Sequence, residues 1–301
     1  MKKFDCAIIG GGPAGLNAAL VLGRARRSVA LYDNNRPRNR VTHASHGFLT
    51  RDGVTPAEFR RVAYEEVLRY PSVELMPVKV TEARKRESGF TITADNGETI
   101  WSRKLLIAAG LKEELPPIPG IQELYGKSLF HCPYCDGWEL RDRPLIVVAD
   151  HPRAFHLAKL LYQWSRDLVI CTNGQSILTE EQKRILVSRG LVVTELKVAA
   201  FHGSEGRLRQ VEFSDGSLLD RAGGFVLPRW QPYVSFREQL GYDTNEYGGI
   251  RTDEAGRSTV PGLFAAGESA TGMPSQLIAS AAAGSAAAIG MNGELTEEDF
   301  S

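Results

Sequence analysis

FDCAIIGGGPAG, residues 4–15, is the stretch on which the fold turns. A short apolar run enters a cluster of glycines, LNAALVLGRA follows at helical spacing, and SVALYD then reads as a second strand. Strand, glycine turn, helix and strand in that order are the setting a dinucleotide-binding fingerprint requires. Gly10 permits the tight turn, Gly12 lets backbone N–H groups approach a pyrophosphate, and Gly15 lets helix and strand pack closely. The helix start adds the positive end of its dipole. Asp33, 23 residues after Gly10 at the end of the second strand, is placed to accept hydrogen bonds from a ribose.

Outward from this motif, 301 residues suffice for two domains at roughly 150 residues each. The composition is that of a globular protein, 43% hydrophobic and 24% charged. With 36 basic and 36 acidic residues there is no charge excess to draw nucleic acid or an anionic membrane. The basic cluster at residues 24–27 (RARR) reads as solvated charge; a second lies at residues 36–40 (RPRNR). The apolar run at the N-terminus is too short for a signal peptide, and no run approaches the ~18 apolar residues of a membrane span. A reducing, cytoplasmic setting is therefore expected, in which four cysteines point to redox or metal chemistry. Cys6 and Cys171 each sit singly in an apolar run and are expected to be buried and inert.

The first strand–helix–strand set continues with TPAE at residues 55–58, a capping box opening a helix that runs to Tyr70, and a hairpin turning at Asn96-Gly97. KLLIAAG closes this half, and LPPIPG at residues 115–120 is a proline-rich linker. A weaker copy of the order follows: RPLIVVAD, a helical segment, DLVICTNG, a capping box TEEQ at 179–182, a hairpin at Asp215-Gly216 and GGFVLP. The last fifty residues leave that pattern and end in an alanine-rich helix whose small side chains suit close packing on the first half. The expected fold is α/β, with two dinucleotide-binding, Rossmann-like, three-layer domains, the second inserted into the first. The first domain takes residues 1–115 and 248–301, the second residues 120–245.

FHCPYCDGW, residues 130–138, carries the chemistry. Pro133 falls at the first position of a helical turn, with Cys132 at its N-cap, where free N–H groups stabilise a thiolate. Cysteines at i and i+3 share a face and can close a small disulfide ring. Asp136 follows at once and can exchange a proton with a leaving thiol. A zinc site needs two more ligands, and Cys6, Cys171 and His131 do not offer them at suitable spacing, so no metal is expected.

Together GGGPAG, the Ala109-Gly110 turn before PPIPG, HCPYCDG, and FAAGE with SQLIASAAAG resemble the low-molecular-weight thioredoxin reductases over essentially the whole chain. The resemblance implies an FAD-dependent thiol–disulfide oxidoreductase with a redox-active pair in its second domain. It places FAD contacts at Gly10, Gly12, Pro13, Ala14, Gly15, Asp33, Arg38, Asn39, Ala109, Gly110, Gly267, Glu268, Gln276 and Leu277. The second flavin motif of that family ends Gly-Asp; here it ends Gly267-Glu268, which keeps the charge and adds a methylene. Cys135 is implied as the thiol facing the flavin, Cys132 as the thiol attacking the substrate disulfide, and Asp136 as the acid–base residue. His131 beside the thiolate and His46 near the flavin are further candidates, each equally readable as a satisfied surface or core histidine, and Trp138 reads as packing. The implied partners are a thioredoxin-like protein or a small-molecule disulfide or dithiol, and the implied assembly is a homodimer.

One element of the family pattern is broken. Against AIIGGGPAG, the segment IVVADHPRA puts Ala149, His151 and Ala154 where the three glycines belong, with Asp150 adding negative charge. Histidine at the middle position blocks close approach of a pyrophosphate, and Thr172 stands where a ribose-binding carboxylate would. Arg153 is the only nearby cation, and Pro228, Arg229 and Trp230 replace a glycine-rich closing stretch, reading as a reshaped surface facing substrate. NAD(P)H binding is thus doubtful, and an electron partner such as ferredoxin or flavodoxin is expected instead. The alternatives are an NADPH-dependent thioredoxin reductase with a degenerate site, a dithiol oxidase using oxygen, and a non-catalytic FAD scaffold, for which an intact cysteine pair has no use.

Overall fold

A computed structural model describes residues 1–301 and divides the chain into two compact units, Met1–Arg40 with Gly47–Glu113 and Trp230–Ser301, and Val41–His46 with Glu114–Arg229. The first unit begins with β1 (Lys3–Ile9), α1 (Pro13–Arg24), β2 (Val29–Tyr32), α2 (Pro56–Val67), β3 (Val73–Met76), β4 (Val80–Arg86), β5 (Gly89–Ala94), β6 (Thr99–Ile107) and β7 (Leu111–Glu114). The second contains α3 (Ile121–Leu124), β8 (Leu129–Phe130), α4 (Pro133–Asp136), β9 (Leu145–Val148), α5 (Arg153–Leu161), β10 (Leu168–Cys171), α6 (Glu180–Ser188), β11 (Val192–Thr194), β12 (Val198–Ser204), β13 (Arg207–Phe213), β14 (Leu218–Asp220) and β15 (Gly223–Val226). The chain returns to the first through β16 (Arg229–Pro232), α7 (Arg237–Leu240), β17 (Leu263–Ala265), α8 (Glu268–Thr271) and α9 (Leu277–Phe300).

In the first unit the strand order is β3-β2-β1-β6-β5-β4. Strands β3, β2, β1, β6 and β17 run parallel, while β5 and β4 fold back antiparallel. The nine-residue β6 has two successive neighbours on one edge: residues 99–102 pair with β5 and residues 105–107 with β17. Alternation along β1 sends Cys6 and Ile8 to the face packed by α1 and α9, and Ala7 and Ile9 to the opposite face with Phe90 and Ile92. Phe236, Leu240 and Tyr242 join that second face, so residues 230–245, read from sequence as the end of the inserted domain, pack with the first unit. The second unit is a parallel sheet in the order β11-β10-β9-β15-β8, with β12, β13 and β14 forming an antiparallel sheet of their own. This is the α/β architecture of two Rossmann-like units that the sequence motifs imply.

Local signals hold with small changes. Thr55 caps α2 by accepting from the Glu58 N–H at 3.1 Å, but the Glu58 carboxylate binds Arg61 instead of closing the box. That helix ends at Val67, short of Tyr70. At α6 both halves of the capping box, Thr179 and Gln182, are present. Cys6 and Cys171 are free thiols and fully buried; burial pushes both up, Cys171 to about 11.

The small residues of α9 bring it against α1. A Cβ built on Gly284 would overlap the carbonyl oxygen of Ala14, which is backbone and cannot turn aside. Gly284→Val is therefore expected to destabilise the fold by about 1–3 kcal/mol, the usual range for overpacking. Chemical denaturation measures it, and an unchanged midpoint would mean that the two helices have room to separate.

Candidate functional site

The C-terminal ends of β1, β2 and β6 converge on a cavity of about 570 Å3 in the first unit, within the roughly 300–1,000 Å3 of small-molecule sites. Gly10, Gly12, Pro13, Ala14, Asp33, Arg38, Asn39, Ala109, Gly110, Gly267, Glu268 and Leu277 all line it. Gly15 lies behind the wall, its missing Cβ leaving room for the Gly10 carbonyl, and Gln276 stands at the N-cap of α9 with its side chain against Gly47.

Gly10 has φ +119°, and a side chain there would strike Ala108. Gly12 is different. Its φ of −82° suits any residue, and a Cβ there would meet no protein atom within 4 Å. Protein packing thus demands glycine at 10 and 15 but not at 12, where a side chain would project only into the cavity.

Asp33 is held from behind. Its Oδ2 accepts from Arg60 Nη2 at 2.5 Å and from the Tyr64 hydroxyl, while Oδ1 accepts from the Asn35 N–H at 3.0 Å. Arg60 also donates to the Gly11 carbonyl at 2.6 Å, tying α2 to the glycine loop. Neither Arg60 nor Tyr64 was singled out from sequence. Their i, i+4 spacing on α2 puts them on one face, but nothing local says that Asp33 lies opposite. Tyr233 and Val234 also line the cavity and were missed; Tyr233 accepts from Asn34 Nδ2 at 3.1 Å and donates its N–H to the Gly110 carbonyl. At the other end Glu268 is buried, its Oε1 accepting from Arg38 Nη2 at 2.5 Å and from the Ser275 N–H at 2.9 Å.

The cysteine pair belongs to the second unit. Cys132 and Cys135 form a disulfide with their Cα atoms 5.3 Å apart. Pro133 opens α4 with Cys132 at the N-cap, and the helix is a single turn, so its dipole is small. The N–H groups of Cys135 and Asp136 both donate to the Cys132 carbonyl at 3.2 Å. Asp136 is half-buried, and its carboxyl is pushed up to about 7, chiefly by burial and further by the charge of Glu139, with His46 pulling the other way. His46 Nε2 lies 3.6 Å from Glu139 Oε1. His131 Nδ1 pairs with the Tyr125 hydroxyl at 3.0 Å, so the ring beside Cys132 has a fixed orientation. Trp138, read as packing, is 64% exposed beneath the Arg141 guanidinium at 4.0 Å; Tyr134, equally exposed, meets the edge of Trp164.

The loop after β9 differs from the loop after β1. α5 begins only at Arg153, with Pro152 at its N-cap in the helical region. The Arg153 N–H donates to His151 Nδ1 at 3.2 Å and the Ala154 N–H to the His151 carbonyl at 2.9 Å, so His151 takes up the first N–H groups of the helix. Thr172 is fully buried and its hydroxyl donates to the Gln175 carbonyl.

With this geometry in place, the profile of the pyridine nucleotide-disulphide oxidoreductases matches residues 4–286. The chain belongs to that family. Among its relatives, thioredoxin reductase aclD of Aspergillus oryzae is 31% identical over 98% of both chains. Among solved structures, a chain assigned as thioredoxin reductase TrxB from Bacillus anthracis superposes with a TM-score of 0.95 at 44% identity, covering 99% of this chain and 100% of that one. The crystal structure of HlmI superposes at 0.93 with 38% identity, covering 99% and 94%. This pyridine nucleotide-disulphide oxidoreductase is thus a thioredoxin-reductase-like flavin disulfide oxidoreductase, an enzyme. No helix in it is long and apolar enough to cross a membrane.

FAD is the cofactor that the family implies, and the cavity suits it. Gly12 leaves open the place a diphosphate needs, and six cations (Arg36, Arg38, Arg40, Arg60, Lys79 and Lys112) line the cavity against three carboxylates. Asp33 and Glu268 would hold its hydroxyl groups.

Proposed function

We propose that the enzyme moves electrons between FAD and a disulfide or dithiol substrate through Cys132 and Cys135, with an electron partner other than NAD(P)H. The observation that carries this reading is His151, whose ring and carbonyl occupy the N–H groups of α5 that would otherwise receive a pyrophosphate. Thr172, bonded inward, supplies no replacement for the ribose carboxylate.

Bound FAD supplies a two-electron centre that the cysteine pair can reduce or be reduced by. In the reductive direction the Cys132 thiolate attacks a substrate disulfide, releasing one substrate thiolate and forming a mixed disulfide. Cys135 then attacks Cys132 Sγ, which frees the second substrate thiolate and leaves the pair oxidised. Asp136, with its carboxyl near 7, holds a proton for a leaving thiolate at neutral pH and takes one up in the reverse direction. The exposed rings of Tyr134 and Trp138 beside the pair suit a substrate that brings apolar surface, such as a thioredoxin-like protein or an apolar small dithiol. A reduced ferredoxin or flavodoxin serves as donor in this direction; oxygen serves as acceptor if the enzyme runs as a dithiol oxidase.

Anaerobic titration of the yellow protein tests the proposal. NADPH and NADH are expected to leave the flavin's visible absorption intact, whereas dithiothreitol bleaches it. Rapid bleaching by NADPH would overturn the reading. Bleaching by reduced ferredoxin identifies a reductase, and fast reoxidation in air after dithiol reduction identifies an oxidase.

A further inference from the structure

The sequence reads the stretch around Trp230 as a reshaped surface facing substrate, whereas the Trp230 ring packs on a side chain of the cavity wall. Trp230 lies on β16, which pairs with β7, and its half-buried ring carries the Arg38 guanidinium at 5.1 Å from the centroid. The same guanidinium reaches Glu268 Oε1 at 2.5 Å through Nη2 and Glu113 Oε2 at 3.8 Å through Nη1. Arg38, Glu113 and Glu268 all border the cavity, whereas Trp230 stands behind Arg38.

We propose that Trp230 is a positioning residue for the flavin site, acting through Arg38 to fix the carboxylate of Glu268. The chemistry runs through the longer side chain at that position. A glutamate has one more rotatable bond than the aspartate of the family motif, so its carboxylate needs a second anchor to adopt one orientation. Arg38 and the Ser275 N–H both hold Oε1, which sets Oε2 beside Gly110, 3.5 Å from where a Cβ on that glycine would stand. Arg38 in turn sits between two acids, and the flat face of Trp230 favours a single placement of the guanidinium plane. Loss of the ring frees Arg38 to swing toward Glu113, and Oε2 of Glu268 loses its register.

The inference rests on FAD occupying the cavity and is independent of which electron partner the enzyme uses. It is tested by equilibrium FAD titration of the flavin-free protein. Trp230→Ala is expected to weaken FAD binding by about five- to tenfold, the size of a partly desolvated cation–π contact. Trp230→Phe, which keeps a ring face under Arg38, is expected to restore affinity to within about twofold. In an Arg38→Met background, Trp230→Ala is expected to cost nothing further, because its effect passes through the guanidinium. Additive losses in the double variant, or a Phe variant as weak as the Ala variant, would overturn the inference while leaving the flavin assignment intact. A wild-type protein that takes up no FAD would overturn both.

Discussion

Cys135→Ser is expected to reduce dithiol-driven flavin bleaching to background, a loss of several orders of magnitude of the kind seen when a nucleophile is removed. The cause is electron accounting. A dithiol gives up two electrons by forming a disulfide, and the enzyme accepts them only by opening the bond between Cys132 and Cys135. With serine at 135 no such bond exists, and the lone Cys132 thiol, already reduced, offers no disulfide for the dithiol to open. Stopped-flow absorbance under anaerobic conditions reads the effect directly. Wild-type rates in the variant would mean that dithiols reach the flavin without the pair, and the assignment of Cys135 as the flavin-side thiol would be abandoned.

Asp136→Asn is expected to slow the same half-reaction by about 10²–10⁴-fold and to remove an inflection near pH 7 from its profile. The sign follows from the raised carboxyl. Below about 7 Asp136 carries a proton to give, so cleavage of a substrate disulfide falls as pH rises through that value. The reverse direction, which needs a base, rises through it. Stability moves with the first case. A carboxyl raised in the folded state contributes most below its ordinary value of 3.8, and that contribution is lost as pH climbs through about 7. The asparagine variant therefore gains stability relative to wild type on going from pH 4 to pH 8, as denaturant midpoints at the two pH values measure. A variant profile that keeps the inflection would assign it to a group other than Asp136.

The first β–α–β set was legible because its signals are local: glycine spacing, an apolar helix face and an acidic residue in register all lie within thirty residues. The cysteine turn was legible for the same reason, Pro133 being the first residue of α4. What escaped depends on residues far apart in the chain. Residues 230–245 follow the inserted unit in sequence, yet Leu240 and Tyr242 share a core with Ile92, and Tyr233 lines the cavity. Arg60 reads as one more helix-surface cation until Asp33 is found opposite. His151 was legible as an obstacle but not as a cap, because the bond from the Arg153 N–H to its ring depends on a helix that starts one residue later than the glycine motif predicts.

The two-neighbour strand β6 carries a consequence for how the molecule comes into being. Its residues 105–107 have no partner on that edge until residues 263–265 have left the ribosome, and residues 114–229, the bulk of the second unit, emerge in the interval. Gly267, Glu268 and α9, which pairs its glycine with Ala14, arrive later still. The nascent chain must therefore keep an open sheet edge and a half-built cavity waiting while the bulk of the second unit is made. The cavity wall closes only when Gly267, Glu268 and Leu277 have emerged, and the interval before that is when the growing polypeptide is most exposed to misassembly.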